Sequence, residues 1–512
     1  MRNFGLVKGE KVSLFIMSLL LSGFTTIAFH FPFFNTVLEN VSSNFNGYWL
    51  TFSAMVIMLA LNFFFYSLLL FLGRFAGKCI IAFTLIADAV TLYFINTYNV
   101  LIDRDMMGNF YNTQYSEASS FFSWILLLYI LLFGVLPSVF LFVKKVNYGT
   151  VKGFFKNIGL ALLVIVLFLL TNFKNVTWID SQAPVLGSKL MPWSYTINTF
   201  RYYNHWKKIN QKEILLPDVQ ATSKTKDVVV LIIGESARSM NFSFYGYQRE
   251  TTPLMRADSV VALKAKASNT NTIDAVKAIL SHQSAKGELY EILPNYLNRN
   301  GVDVYWRRSN WGTPPLHFEH EYDKGKLKEI YPQADAQYDG ILFHNLEEHM
   351  EQSTADKVFI GIHTYTSHGP EYYKNSPDSL KLFFPECRSV EMSQAKYEEL
   401  INAYDNSIVY TDFLVHGVIE MLKKYPDRRC CVLFVSDHGE SLGEGGLYMH
   451  GVPLMMAPDY QTDIPFLVWT SDNAPAVKET EDQVSHYHVF HSILKFYEME
   501  TPFYDESKNI FK

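Results

Sequence analysis

The sequence predicts an α-helical membrane domain of five transmembrane helices, followed by an α/β domain. Five long apolar runs lie in the first third of the chain, which raises the hydrophobic content to 49%. In the second part, short β-branched runs end in polar loops, which is typical of strands buried in an α/β sheet. This second part has about 290 residues, enough to build a hydrophobic core of its own.

Each apolar run is about long enough to cross the ~30 Å hydrocarbon core of a bilayer as a helix. The runs cover residues 12–30, 50–72, 79–96, 120–143 and 157–172. The stretch Phe29-His30-Phe31-Pro32 lacks the small residues of a cleavage site. The first run is therefore predicted to be a retained anchor and not a signal peptide.

The charges of the loops predict the orientation of these helices. Lysine and arginine residues lie before the first run, between the second and third runs, and between the fourth and fifth runs. They are Arg2, Lys8, Lys11, Arg74, Lys78, Lys144, Lys145, Lys152 and Lys156. Residues 31–49 contain neither, and residues 97–119 contain only Arg104. The positive-inside rule places the N-terminus in the cytoplasm. Five crossings then place everything after Thr171 outside, in the bacterial periplasm.

We divide the chain into a transmembrane domain (1–172), a linker (173–217) and a periplasmic α/β domain (218–512). Within the linker, Met191 to Lys208 mixes six aromatic side chains with basic ones. That composition is typical of a helix lying in the membrane interface. An ordinary packing helix is the alternative.

Charge and cysteine content restrict the function. A net charge of −6, with no basic patch, argues against a nucleic-acid partner. Four cysteines are few for an exported domain, and Cys79 lies in a predicted membrane helix. Because Cys430 and Cys431 are adjacent, we expect at most one disulfide, with Cys387 as the other partner.

Residues with metal-binding side chains follow three predicted strands directly. They are Glu235 after Val228–Ile233, His363 and His368 after Val358–Ile362, and Asp437 and His438 after Cys431–Ser436. The carboxyl ends of parallel strands meet at one edge of a sheet, where open α/β folds place their active sites. Each side chain alone has an ordinary explanation, as a polar turn, a helix N-terminal residue or a structural histidine. Three such strand ends together predict a site.

Other elements complete this second part. Further strands are predicted at Val302–Trp306 and Ile464–Trp469, and a closing helix at 483–498. The glycines after Asp437 allow a tight loop, on which His450 returns towards the strand end.

A threonine at the start of a predicted helix is the candidate nucleophile. Residues 269–280 predict a helix whose N-terminal end contains Asn271, Thr272 and Asp274, which are good capping residues. The free backbone N–H groups of such an end bind phosphate well. Thr272 is therefore a candidate nucleophile, although a plain N-cap threonine is the more frequent explanation of this spacing.

These side chains together predict a metal site with a nucleophile. Glu235, Asp437 and His438 offer two oxygens and a nitrogen, which suit Zn²⁺ and leave one tetrahedral position for Thr272. A hydroxyl in that position is acidified and becomes a usable alkoxide. Three histidines are predicted to bind phosphate oxygens or a second zinc, or to protonate a leaving group: His363, His368 and His450. The set fits phosphoryl transfer through a covalent phosphothreonine.

The connection 97–119 is unusually polar for a short loop beside a membrane, and it contains Asn109 and Glu117. A solvated loop between helices is the common explanation. The alternative is a group of polar side chains that hold a lipid headgroup.

Several motifs resemble those of one enzyme family. They are GESAR at 234–238, NFSFYGYQRETTP after it, TNT at 270–272, HxxxxHGP at 363–370 and SDHGESLGE…YMHG at 436–451. The chain resembles, over its whole length, the phosphoethanolamine transferases of the alkaline-phosphatase/sulfatase superfamily. This family includes the lipid A transferases and the mobile colistin-resistance enzymes. The resemblance implies a sulfatase/alkaline-phosphatase-like fold for the α/β domain.

The resemblance also implies roles for individual residues. Glu235, Thr272, Asp437 and His438 match the zinc site, with Thr272 as the nucleophile. The remaining matches are to second-zinc or substrate histidines and to phosphoethanolamine-binding positions: His363, His368, His450, Asn109 and Glu117. The implied reaction takes phosphoethanolamine from phosphatidylethanolamine and passes it to lipid A, the lipopolysaccharide core or another envelope glycan. We expect a monomer in the bacterial inner membrane that confers polymyxin resistance.

The chain departs from the family pattern in two respects. Where cysteines flank the nucleophile loop of the lipid A enzymes, this chain has Ser268 and Ala278, and the partner position of Cys387 is Ala395. A substrate-contacting lysine of the family has no clear counterpart near Trp311–Pro315. These departures concern the rigidity of the loops and the specificity for headgroup or acceptor, and they leave the metal chemistry intact.

Three rival functions are compatible with parts of the pattern. A phosphoglycerol transferase of the same superfamily shares the fold and the threonine. A sulfatase needs Cys/Ser-x-Pro-x-Arg at the nucleophile, and Thr272-Ile-Asp-Ala-Val differs from it. A membrane-anchored protein that binds glycolipid without catalysis would be expected to have lost ligand residues, whereas the complete set is present.

Overall fold

The structure is a computed structural model that describes residues 11–41, 43–113, 119, 121–209, 213–284, 288–389, 392, 395–478 and 482–512. The chain forms two compact units. One comprises Met1–Gly108 and Phe122–Tyr202, and the other comprises Asn109–Phe121 and Tyr203–Lys512.

Helices dominate the first 209 residues. They are α1 Leu14–Phe29, α2 Phe31–Asn40, α3 Phe45–Tyr98, α4 Arg104–Asn112, α5 Trp124–Tyr129, α6 Leu136–Val143, α7 Val151–Thr171, α8 Val176–Ser188 and α9 Trp193–Ile209. A π-helical turn, Ile130–Val135, joins α5 to α6. Two short strands, β1 (Val12–Ser13) and β2 (Val146–Asn147), pair in parallel.

Three helices in the described ranges are long and apolar enough to cross a membrane. They are α3, the stretch Trp124–Val143 and α7, and the pair α1 and α2, bent by 60°, is a fourth candidate. The predicted runs 50–72 and 79–96 both lie in the 54-residue α3, whose Arg74 leaves the helical region at φ 44° and ψ −106°. The structure thus has a membrane domain, and the number of five crossings stays a prediction.

The predicted linker helix is present. It begins at Trp193 and ends at Ile209, close to the predicted range of Met191 to Lys208. Phe200, Tyr203 and Trp206 are exposed along it, as expected for aromatic side chains at an interface. Its position in the membrane interface stays a prediction.

The second unit contains the remaining strands. They are β3 Asp227–Gly234, β4 Val261–Lys266, β5 Asp303–Arg308, β6 Glu321–Asp323, β7 Lys357–His363, β8 Arg429–Ser436, β9 Ser441–Leu442, β10 Tyr448–Met449, β11 Asp463–Thr470 and β12 Val484–Ser485. Eight of them form one sheet in the order β12-β4-β11-β8-β3-β7-β5-β6. All five strands predicted from the sequence are therefore confirmed.

The sheet direction explains where the site lies. From β8 through β3 and β7 to β6 the neighbouring strands are parallel, whereas β11 runs antiparallel to β8 and β4. The carboxyl ends of β3, β7 and β8 therefore lie side by side at one edge. The sequence analysis missed β4 because its residues, VALKAK, are mostly helix formers that pairing with β11 overrides.

Helices surround this sheet. They are α10 Pro253–Ala257, α11 Thr272–Ile279, α12 Leu293–Arg299, α13 Lys324–Ile330, α14 Glu347–Gln352, α15 Tyr397–Leu422, α16 Asp459–Thr462 and α17 Tyr487–Phe496. The predicted closing helix is thus shorter than expected, because β12 takes its first residues.

Packing in the core is tight around the central strands. Every residue of β3 is buried, as expected for a strand with neighbours on both sides and helices on both faces. A β-carbon at Gly361 would lie 2.1 Å from the ring of the buried Trp306 on β5. Glycine in the middle of β7 therefore makes room for the tryptophan.

None of the four cysteines is paired. Cys430 and Cys431 are consecutive residues of β8, so their side chains point to opposite faces of the sheet. Cys387 is buried, with its Sγ 3.5 Å from the carbonyl oxygen of Ser389. The α/β unit therefore depends on its core alone.

Candidate active site

Strand register brings the two predicted carboxylate ligands together. Gly234 of β3 lies opposite Ser436 of β8, so Glu235 and Asp437 are the next pair of residues beyond the sheet. The Asp437 N–H donates to the carbonyl oxygen of Gly234 at 3.0 Å, which continues the ladder by one step. Two buried parallel strands thus deliver both side chains to one point.

Four predicted residues converge there. The Oγ1 of Thr272 donates to Oε2 of Glu235 at 3.3 Å and lies 3.4 Å from Nε2 of His438. The same Nε2 lies 3.2 Å from Oδ2 of Asp437 and 3.6 Å from Oε1 of Glu235. All four side chains are buried, none more than 2% exposed. We call this group the four-residue cluster.

The four-residue cluster fits a zinc ion. Oδ2 of Asp437 is buried without a hydrogen-bond partner in the described ranges. Four ligands held at about 2.0–2.1 Å around a tetrahedral ion lie about 3.3 Å from each other. The separations of 3.2, 3.3, 3.4 and 3.6 Å in the cluster lie near that figure, with Oε2 of Glu235 facing Thr272 and Oε1 facing His438. Imidazole nitrogen with carboxylate oxygens suits zinc better than calcium or magnesium, which prefer oxygen alone.

Burial controls the protonation of the cluster. Burial, with the charge of Asp437 second, raises the pKa of Glu235 to about 8, and burial raises the pKa of Asp437 to about 7. Burial, then the neighbouring His450, lowers the pKa of His438 to about 4. The imidazole is therefore neutral at pH 7, and its contacts with the carboxylates are not ion pairs. A neutral imidazole is the form that binds a metal.

Neighbouring groups hold these ligands in place. The N–H groups of Ser236 and His438 donate to Oδ1 of Asp437 at 3.0 and 2.7 Å, which leaves Oδ2 facing the cluster. Nδ1 of His438 lies 3.0 Å from the carbonyl oxygen of Gly439 and must carry the proton there. The lone pair of Nε2 is consequently directed at the cluster. Asn310 donates to Oε2 of Glu235 at 2.5 Å.

Thr272 is the first residue of α11. Asn271 caps this helix, with its side-chain oxygen accepting from the N–H of Asp274 at 3.0 Å. Thr272 is therefore not the N-cap itself, and its hydroxyl is free to face the carboxylate of Glu235. The methyl group of Thr272 lies beside Gly312.

His450 returns to the cluster on a hairpin. β9 and β10 pair antiparallel, and the turn between them uses positive φ angles at Gly443, Gly445 and Gly446. The ring centroid of His450 lies 4.1 Å from that of His438. One ligand atom each of Glu235, His438 and His450 lie within 4.8 Å of one another, so His450 is a possible further ligand.

The other two predicted histidines differ in position. The ring of His368 lies 5.5 Å from that of His450, with its Nδ1 2.6 Å from the carbonyl oxygen of Gly369. His363 ends β7, fully buried, and its Nδ1 faces the hydroxyl of Thr313 at 3.2 Å. Burial, with Arg308 second, lowers the pKa of His363 to about 3, so it is neutral. Roles for both in substrate binding stay predictions.

The structure describes only one of the two residues predicted from the polar loop. Asn109 lies on α4, and its amide nitrogen is 3.9 Å from the position that a β-carbon would take at Gly451, the residue after His450. Both belong to the second compact unit. Glu117 lies outside the described residues.

Sequence reasoning missed two buried side chains of the site. Asn310 follows β5. Its position could have identified it, because it is a polar residue two places after the end of this strand at Arg308. Glu440 lies within the DHGES motif itself, and its Oε2 is 3.1 Å from Nδ1 of His450. A carboxylate that accepts from one nitrogen of a histidine directs the other nitrogen outward. Glu440 is thus a positioning residue for His450.

Replacing Glu440 with glutamine is expected to weaken metal binding or turnover by about 10–100-fold, as for other carboxylates behind ligand histidines. In the metal-free protein burial raises the pKa of Glu440 to about 7, so the pH profile of metal binding should carry its titration. Measurements of metal content and of that profile check the prediction. A variant that loses activity with metal content and pH profile both unchanged would show that Glu440 only packs.

Comparison with known proteins identifies the family. Residues 227–498 match the sulfatase family, and residues 57–206 match the family described as phosphoethanolamine transferase EptA/EptB. Phosphoethanolamine transferase EptA of Helicobacter pylori is 32% identical over 488 residues, covering 91% of this chain and 90% of that protein. This chain belongs to the phosphoethanolamine transferase family.

Further relatives agree along the whole chain. Phosphoethanolamine transferase EptA of Escherichia coli K12 is 28% identical over 538 residues, covering 99% of this chain and 98% of that protein. The integral membrane lipooligosaccharide phosphoethanolamine transferase A of Neisseria meningitidis superposes with a TM-score of 0.87 at 25% identity, covering 97% and 98% of the two chains. These matches confirm the family resemblance that the motifs predicted. Phosphoethanolamine transferases are enzymes, so this chain is an enzyme. It combines a membrane domain with a sulfatase-like α/β domain.

Proposed function

We propose that this enzyme takes phosphoethanolamine from phosphatidylethanolamine and transfers it to lipid A, or to another sugar of lipopolysaccharide, through Thr272. The observation that carries the proposal is the position of the Thr272 hydroxyl. It lies 3.3 Å from a carboxylate oxygen of Glu235 and 3.4 Å from the ring nitrogen of His438, within a buried set of metal-type ligands. The position of this hydroxyl among buried metal-binding side chains indicates that it has a chemical function.

The proposed reaction has two steps. In the first, Oγ1 of Thr272 forms a bond to phosphorus, and the bond from phosphorus to the diacylglycerol oxygen breaks. The proton of Thr272 passes to Glu235, to which it already donates, and from there to the diacylglycerol oxygen, so that diacylglycerol leaves as an alcohol. In the second, an oxygen of the acceptor forms a bond to phosphorus, the bond from phosphorus to Oγ1 of Thr272 breaks, and the proton of the acceptor returns to Oγ1.

Zinc is the proposed cofactor. Held by Glu235, Asp437 and His438, the ion would acidify the threonine hydroxyl and stabilise charge on the phosphate oxygens. Residues of the protein position the reacting groups: Asn310 orients Glu235, and the start of α11 presents Thr272.

A further group of residues is proposed to bind the donor phosphate or a second zinc. His450 and His368 adjoin the cluster, while His363, Asn109 and Glu117 rest on the family resemblance. For Asn109 and Glu117, the proposed role is contact with the phosphoethanolamine group, and for His363 it is binding of phosphate oxygens or of a second zinc.

The proposed location is the bacterial inner membrane, with a monomeric chain. We propose five crossings in residues 1–172, a linker in 173–217 and a periplasmic catalytic domain in 218–512. The non-helical backbone at Arg74 supports five crossings, because a break there divides the 54-residue α3 into two spans. A periplasmic site would draw its donor lipid from the adjacent leaflet.

The acceptor is proposed from chemistry and from one relative. The Neisseria meningitidis protein is named a lipooligosaccharide transferase. A phosphoethanolamine group placed on a lipid A phosphate would mask negative charge and weaken the binding of cationic peptides such as polymyxin.

Lipid mass spectrometry of cells with and without the gene tests this function. We expect lipid A to gain a mass equal to one phosphoethanolamine group only when the gene is present. A glycerophosphate mass on an envelope glycan would overturn the donor assignment in favour of phosphoglycerol transfer. A phosphoethanolamine group found on core sugar alone would show that only the assignment of the acceptor is wrong.

A further inference from the structure

A cavity of about 570 Å³ adjoins the four-residue cluster on the side of β5 and β7. His368 belongs to its wall, its ring lies 5.5 Å from that of His450, and the ring of His450 lies 4.1 Å from that of His438, so these two histidines connect the cavity to the cluster. Pockets for small ligands have volumes of about 300–1,000 Å³. A phosphate with a two-carbon amine would occupy only a small part of this volume, which leaves room for a larger molecule.

Three cationic side chains line the cavity, each with an acidic partner. Lys374 pairs with Glu371 at 2.6 Å on an exposed edge, and its side chain is 53% exposed. Arg308 uses its Nε for Glu321 at 2.7 Å, so its two terminal nitrogens remain for another acceptor among the described contacts. Hydrogen bonds from the terminal nitrogens of Arg308 and from the ammonium of Lys374 are of the charge-assisted kind that binds phosphate groups.

The third cation, Lys324, is fixed to the loop that carries His368. Its ammonium lies 3.1 Å from Oδ1 of the buried Asp339. Oδ2 of Asp339 accepts from the N–H of Tyr365 at 2.6 Å and from the hydroxyl of Thr366 at 2.8 Å. The wall of the cavity and the histidine loop after β7 are therefore one hydrogen-bonded unit, which is the rigidity that a specific binding site needs.

Aromatic and neutral polar groups complete the lining. Trp311, Tyr338 and Tyr365 are half-buried there, and Gln337 and Asn375 offer amide groups. Flat aromatic faces cover the apolar face of a sugar ring, while amides and charged groups serve its hydroxyls.

We propose that this cavity is the acceptor subsite and that it binds a phosphorylated sugar. The proposal rests on the proposed function and adds the position at which the second substrate binds. A sugar phosphate held by Arg308 and Lys374 would extend past His368 towards Thr272. An acceptor oxygen would form the new bond to phosphorus, the bond from phosphorus to Oγ1 of Thr272 would break, and the acceptor proton would return to Oγ1.

The two half-reactions allow a sharp test with the full-length protein in detergent micelles. Diacylglycerol released from fluorescent phosphatidylethanolamine without acceptor reports the donor step, and modification of purified lipid A at increasing concentration reports the acceptor step. For the double variant Arg308→Ala/Lys374→Ala, we expect an unchanged diacylglycerol burst and a KM for lipid A raised about tenfold or more, as for lost charged hydrogen bonds.

A matched control is available in the same unit. Lys396 pairs with Glu399 three residues away at 3.0 Å, as Lys374 pairs with Glu371, but it lies outside the cavity lining. Lys396→Ala should leave both readouts unchanged. The acceptor subsite is refuted if the double variant keeps the wild-type KM, or if it loses the donor burst as well. Absence of a burst with wild type would instead refute the proposed function.

Discussion

Replacing Thr272 with alanine is expected to lower phosphoethanolamine transfer by at least about 10³-fold, because loss of a nucleophile removes the covalent route altogether. The hydroxyl is buried 3.3 Å from Oε2 of Glu235 and lies 3.4 Å from Nε2 of His438, whereas the neighbouring hydroxyl of Ser236 donates to the other oxygen, Oε1, at 2.8 Å. Release of diacylglycerol from fluorescent phosphatidylethanolamine measures the rate. Mass spectrometry of the peptide that contains residue 272 should show phosphoethanolamine in wild type and none in the variant.

Thr272→Ser is the matched control. It keeps the hydroxyl and removes only the methyl group that lies beside Gly312, so we expect the covalent intermediate to form at a reduced rate. If Thr272→Ala retained transfer close to wild type, direct attack of the acceptor on the donor lipid would replace the two-step scheme.

Removal of the metal is expected to abolish activity and to lower the unfolding temperature, with a strong dependence on pH. In the metal-free protein burial, with Asp437 second, raises the pKa of Glu235 to about 8, and burial raises that of Asp437 to about 7. The protonated carboxyls therefore stabilise the metal-free fold below the unfolded pKa values, and this contribution is lost as pH rises through about 7 and 8. Zinc replaces these protons, so its affinity should rise from pH 6 to pH 8.

Thermal unfolding of the full chain with and without zinc, at both pH values, measures this effect. The stabilisation by zinc should be larger at pH 8. Glu235→Gln removes both a ligand and the titrating group, so it should abolish most of the zinc effect, whereas Glu250→Gln, at a side chain that is 63% exposed, should retain it. Equal stabilisation by zinc in all three proteins would contradict a metal site at the four-residue cluster.

Local patterns were sufficient for the strands and the helix that build the site. The runs that became β3, β7 and β8 are short, apolar and β-branched, and each of them is followed directly by side chains of metal-ligand type. Capping residues marked the start of α11. These signals are local in the chain, and burial of both faces of a parallel sheet allows few other arrangements. Glu235, Thr272, Asp437 and His438 could therefore be proposed before any coordinate was known.

Long-range contacts escaped the same reasoning. Asn310 and Glu440 touch residues 75 and 10 positions away in the chain, at Glu235 and His450. β4 has the composition of a helix and becomes a strand only by pairing with β11.

The residues of the candidate site could thus be predicted from residue types at strand ends, because the backbone pattern and the metal-binding side chains lie within a few residues of each other. The tertiary structure alone decided how these pieces meet. Register between β3 and β8 set the spacing of the carboxylates, burial set their pKa values, and the folding of β5, α13 and the loop after β7 formed the cavity beside them. Each of these features depends on contacts between segments far apart in the chain, and local sequence patterns do not predict such contacts.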